Sequence, residues 1–184
     1  MNLGGINWVD LIIFLLAMIS LVVGFVQGML RQVIGLAALY IATILGTQYY
    51  TVLGDFIRSI MFQPTSRFLN ALSFFFIVIV VWSLISWLAF DAYSSTKLRF
   101  FPLLDQLGGS LLSFATAISA ITLILPVIAF MVGDPWPGNE SYRVILQAGL
   151  QTSRLVPYFE NLKPLLLSAL LPWLPLGLPS LFNL

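Results

Sequence analysis

The sequence predicts an all-α protein: a polytopic transmembrane helical bundle of four spans, followed by a surface helix and a proline-rich apolar tail. Three observations predict it. The chain is 60% hydrophobic and only 8% charged, whereas soluble domains carry roughly 25% charged residues. Its surface cannot be hydrated throughout, so lipid must replace water over much of it. The charges also fall in clusters. Charge-free stretches of 20, 23, 23 and 28 residues separate Asp10 from Arg31, Arg31 from Asp55, Arg67 from Asp91 and Asp105 from Asp134. Each is long enough for the about 20 apolar residues that a helix needs to cross the hydrocarbon core. Backbone exposed to lipid must satisfy its hydrogen bonds within its own segment, which selects helix.

The elements follow in order. Leu11 to Val26 is dense in Leu, Ile and Val. It has no basic region before it and no small-residue cleavage site after it, so it reads as a retained first span rather than a signal peptide. The first connection lies around Gln27 to Arg31. The second, about Thr51 to Phe68, contains Pro64 and room for a short helix. Phe74 to Val81 is apolar on every side, as suits a lipid-facing third span. The third connection holds Tyr93, Ser94, Ser95, Thr96, Lys97 and Arg99. After the fourth span, Gly133-Asp134-Pro135-Trp136-Pro137-Gly138 is a dense breaker cluster. This divides the chain into a four-helix domain, residues 1–133, and a tail, residues 134–184.

Within the tail, Asn139 to Val156 is polar with helical character. Tyr142, Ile145, Leu146, Gly149 and Leu150 fall on one face, so this helix is expected along the membrane surface. A last charge-free block runs from Lys163 to Leu184, broken by Pro172, Pro175, Gly177 and Pro179. Proline removes a helical donor, so a short helix should end near Leu171. An extended segment is expected beyond it, at the interface or docked on another subunit.

Composition also excludes functions. The chain has no cysteine and no histidine. Thiolate chemistry and the commonest general base, metal ligand and haem ligand are therefore missing. A net charge of +1 makes no case for nucleic acid. No catalytic, cofactor-binding or metal-ligating residue is expected. Basic residues near the span ends, Arg31, Lys97 and Arg99 against Arg58 and Arg67, weakly favour both termini outside the cytoplasm.

Two stretches carry more than hydropathy. One is Asn7-Trp8-Val9-Asp10 followed by Gly24-Phe25-Val26-Gln27-Gly28-Met29-Leu30-Arg31. The other is Leu104-Asp105-Gln106-Leu107-Gly108-Gly109-Ser110-Leu111. With Ser153-Arg154-Leu155-Val156-Pro157 they resemble the CvpA family, the colicin V production proteins of bacteria. That family looks like four transmembrane helices with these elements in this order. The resemblance covers about residues 7–160. Gln27 replaces a basic residue common in the glycine turn, and the tail after Lys163 is outside the pattern. The resemblance implies a bacterial inner-membrane protein linked to colicin V production or secretion and to envelope maintenance. Related domains form the membrane part of periplasmic serine proteases, which implies an external carboxyl terminus.

The residues that stand out have competing readings. Gly24 and Gly28 permit close helix approach; equally, Gly28 turns the chain and Gly24 is incidental. Gly109, Ser113 and Ala117, beside Gly108, Thr116 and Ala120, form a small-residue face expected to pack inside the bundle rather than line a pore. Asp105 and Arg31 are expected at the same side of the membrane, either paired or with Asp105 serving a helix amino terminus. Asp10 suits the start of the first helix. Asp91 with Asp105 lacks a catalytic pattern, and Ser94, Ser95 and Lys97 read as a solvated loop. Trp8, Trp82, Trp87, Trp136 and Trp173 suit interfaces.

The leading expectation is a non-enzymatic scaffold or accessory subunit whose partners are the bilayer and other membrane proteins or its own copies. The alternative is a small transporter or channel component. Only neutral groups such as Thr43, Gln48, Ser83, Ser86, Ser113 and Thr116 lie within the spans, and ion coupling normally needs charge there.

Overall fold

A computed structural model describes residues 7–60, 66–92, 102–136, 138–174, 177 and 179–182; for 66, 90–92 and 102 only the backbone is described. Among the described residues six α-helices follow one another: α1 Trp8–Gln27, α2 Met29–Ile60, α3 Ser66–Ala92, α4 Pro102–Met131, α5 Glu140–Thr152 and α6 Val156–Leu170. Two short 3-10 turns follow, Leu171–Trp173 and Ser180–Phe182. No strand occurs among the described residues. The first four helices are each long and apolar enough to cross a membrane.

In the bundle, α2 packs on α3 and on α4, and α1 packs on α4. The outward side of α1, with Phe14, Ile19, Val22 and Val26, is exposed, as lipid-facing residues must be. Polar groups turn inward instead: Thr43 and Thr122 are buried and bond the carbonyls of Leu39 and Ile118 in their own helices. Close contact of α2 with α3 depends on Gly46, where a Cβ would lie 2.7 Å from a Val78 methyl.

Two expectations change. The second connection is shorter than read from the sequence, because α2 continues as helix through Thr51 to Ile60. At 32 residues it is about 48 Å long and outruns the hydrocarbon, so its charged end carries the Asp55–Arg58 pair in solvent. Charge marks where the membrane ends, and a helix need not stop there. Pro64, Pro175 and the third connection, with Ser94, Ser95, Lys97 and Arg99, lie outside the described residues.

The tail also differs. Its described part packs on its own bundle rather than lying along the interface or docking on another subunit. Leu167, Leu170, Leu174, Leu181 and Phe182 join Tyr50, Ala71, Phe74, Val127 and Phe130 in one buried cluster. Phe182 meets Phe74 edge-on, with centroids 6.0 Å apart. The chain turn after α6 would leave carbonyls without partners, which is costly near lipid. Two side chains of α2 supply donors: the Tyr40 hydroxyl to the Ala169 carbonyl at 2.6 Å and Gln48 Nε2 to the Trp173 carbonyl at 2.9 Å. Tyr40 lies well inside the charge-free stretch of α2, so the end of α6 reaches the level of the hydrocarbon.

The helix expected along the membrane surface is α5, and its apolar stripe divides. Gly149 is buried and Leu150 packs inward, whereas Tyr142 and Ile145 are exposed. Arg143 holds Glu140 through a bidentate contact. That guanidinium, with the Trp136 N–H, keeps the Glu140 carboxyl below its ordinary range. The contribution is intact at neutral pH and fades as the pH falls through the lowered value; at this exposure it is screened.

The docked tail makes a clean test because the chain lacks cysteine. A single Ala169→Cys should resist a membrane-impermeant maleimide in intact membranes, while Tyr158→Cys, on the exposed start of α6, should react. Equal labelling of both would show that the end of α6 stays in water.

Candidate functional site

The three motif stretches meet in space, in two clusters at opposite ends of the α1–α4 contact. At the first, Asn7 caps α1: its Oδ1 accepts from the Val9 N–H at 2.9 Å. The amide nitrogen of the same side chain donates to the Gly149 carbonyl at 2.7 Å and the Thr152 hydroxyl at 2.9 Å. Asp10, one turn on, accepts from the Ser153 hydroxyl and from the N–H groups of Leu155 at 3.1 Å and Arg154 at 3.2 Å. Ser153 Oγ in turn accepts from Leu155 and Val156 N–H, satisfying donors at the start of α6, where Pro157 needs none. Trp8 lies over Gly149, where any Cβ would fall 2.6 Å from the indole. Asn7, not Asp10, is the cap of α1; Asp10 sits in its first turn and holds the α5–α6 junction on α1.

At the other end Gly28 closes α1. Its φ of 82° suits glycine, and a Cβ would strike Asp105 at 2.5 Å. Asp105 Oδ1 accepts from the Met29 N–H at 2.8 Å. The carboxylate therefore faces the amino terminus of α2 while sitting in the first turn of its own helix, α4, and so joins two helix amino termini. The ion pairs among the described residues join Asp55 with Arg58, Asp134 with Arg67, and Glu140 with Arg143. Of the two sequence readings of Asp105, the pair with Arg31 is not among these; the carboxylate instead serves helix amino termini, that of α2 through the Met29 N–H.

Between the clusters the backbones of α1 and α4 touch. A Cβ on Gly24 would lie 2.8 Å from the Gly109 carbonyl carbon and 2.5 Å from Ser113 Cβ; one on Gly109 would lie 2.7 Å from the Gly28 carbonyl carbon. Gly108 meets the Met29 sulfur. Ser110 adds a bond to the Leu21 carbonyl at 2.9 Å. Each reading of the glycine pair holds in part: Gly28 turns the chain, and Gly24 is not incidental but admits the neighbouring helix.

The small-residue face of α4 has two uses. Gly109 and Ser113 pack on Gly24, as expected. Farther along, Ala117, with Thr116 and Ala120, instead borders an open groove of about 580 Å³. The groove lies between α1 and α3, with α2 and α4 as its floor. Gln27, Arg31 and Gln32 stand at one end, and Gln32 donates to Gln27 at 2.9 Å. Among the described residues no group of His, Cys, Asp and Glu is placed to hold a metal.

A family model described as Colicin V production protein matches residues 9–164. The chain belongs to that family. The match begins at the first cluster and ends where the proline-rich tail begins. Four membrane-length helices accord with membership of this membrane-protein family. No curated protein and no solved structure matches the chain significantly.

Sequence reading placed Gly149 only on the apolar face of its helix and did not single out Thr152 or Tyr40. Gly149 and Thr152 carry no pattern of their own, since their partner Asn7 is about 140 residues away in the chain. Ser153 entered the sequence reading only as part of the Ser153-Arg154-Leu155-Val156-Pro157 element.

Replacing Gly24 by Ala should lower stability by about 1–3 kcal/mol through overpacking, read as earlier thermal unfolding in detergent. Gly35→Ala, with nothing within 4 Å of its Cβ, should be neutral or slightly stabilising. A double-mutant cycle of Asp10→Asn and Ser153→Ala should give about 1 kcal/mol of coupling; additive losses would mean that the two groups act separately.

Proposed function

We propose that the chain is a non-enzymatic scaffold or accessory protein of the bacterial inner membrane, serving colicin V production or envelope maintenance, with both termini outside the cytoplasm. One observation carries this reading. The acidic groups of the family motifs, Asp10 and Asp105, are engaged by backbone and hydroxyl donors that tie helices together. They act as fasteners, not as reactive or ion-coupling groups. The bundle so fastened presents apolar side chains outside its four spans: Tyr142, Val144 and Ile145 on α5, and Leu165 on α6, are exposed. Such patches suit contact with other membrane proteins or with copies of the same chain.

Purification of the full chain from its native membranes in mild detergent, with cross-linking and mass spectrometry, tests this. The expected result is a complex larger than the monomer, whose cross-links map to α5 and the tail, and which weakens on truncation after Lys163. Recovery as a lone monomer with no co-purifying protein would sink the reading. Solute flux through liposomes carrying the pure protein would favour the transporter alternative.

A further inference from the structure

The groove between α1 and α3 asks for an occupant. We propose that it is a binding site for one phospholipid, with an acyl chain lying in the groove and the phosphate at Gln27, Arg31 and Gln32. This goes beyond the scaffold reading and does not depend on it.

Size, depth, access and chemistry all point the same way. The volume, about 580 Å³, falls within the roughly 300–1,000 Å³ of ligand sites. Along α1 the groove runs from Gln27 to Leu16, about 16 Å of helix. That is close to half of the roughly 30 Å hydrocarbon core, the depth of one leaflet. Leu16 and Ile19 on one flank, and Ile79 and Trp82 on the other, both line the groove and are exposed at the bundle surface. A chain can therefore enter sideways from the bilayer. Space facing lipid does not stay empty, because an unfilled gap forfeits dispersion contacts along its lining.

Polar groups make the groove a site rather than a random lipid contact. They gather where a headgroup would sit, at the end bounded by Gln27, Arg31 and Gln32. A guanidinium fork and amide donors match phosphate oxygens. The far end, at Leu39, Val78 and Ile124, is wholly apolar, as the end of an acyl chain requires.

The full chain is reconstituted in vesicles of phosphatidylethanolamine and phosphatidylglycerol. A trace of either lipid carries a photoreactive group on its acyl chain. Labels should map to groove residues such as Ser20, Thr116 and Ala120 and spare outward residues such as Leu15 and Val22. Ala117→Phe should cut groove labelling roughly tenfold by filling the space, while Leu15→Phe leaves it unchanged. Arg31→Gln should cut it roughly fivefold; loss with both probes supports phosphate recognition, and greater loss with phosphatidylglycerol adds recognition of net charge. Labels spread evenly over outward residues would overturn the proposal, and this map on the unaltered chain decides it even if Ala117→Phe fails to fold. Equal groove labelling in Ala117→Phe and the unaltered chain would also overturn it. Intact groove labelling in a protein that captures no partner would count against the scaffold reading alone.

Discussion

The backbone contact of α1 with α4 is the constraint on which the rest depends. Helices in lipid gain little from apolar burial against each other, so close packing and hydrogen bonds must hold them. Gly24 and Gly109 remove the side chains that would keep the axes apart. Only at that separation can Asp105 reach the Met29 N–H at one end and Asn7 and Asp10 reach the α5–α6 junction at the other. The same contact holds α1 on α4 while α3 packs on α2. The groove is the space left between those two attachments.

A second rule governs the polar atoms. A side chain that could bond water in a soluble protein must find a protein or lipid partner here. Hydroxyls in the spans bond back to their own helix, as Thr43, Thr116 and Thr122 do. Tyr40 and Gln48 are directed instead at carbonyls freed where the tail turns. The tail can then use non-helical backbone at that level without leaving it bare. Beyond the spans, Arg67 pairs with Asp134 and lies 5.4 Å from the centroid of the Phe130 ring. That contact joins the start of α3 to the end of α4.

The motif residues show how far a sequence reading carries. Gly109 and Ser113 were legible as a packing face because small residues recur at helical spacing. Ala117 continues the same row but borders the groove, since a row of small residues does not state where its partner helix ends. Asp105 was legible as a residue for a helix amino terminus, while the helix it faces is also α2. An opposite charge on the same side of the membrane is an obvious partner on paper; a backbone N–H has no letter in the sequence.

The sequence by itself determined the class of the protein. Hydropathy and charge placement depend on residue type alone, and they set the four spans and their approximate edges; the short motifs carried the resemblance to the family. Two things were decided only in the tertiary structure: which motif touches which, and where the tail lies. Asn7 and Gly149 are brought together by four intervening passages of the bundle, and each bond depends on the crossing distance of α1 and α4. The prolines foretold that the last helix would stop. That it stops against Tyr40 and Gln48 follows from three-dimensional proximity, because a carbonyl freed near lipid settles wherever a donor stands within reach.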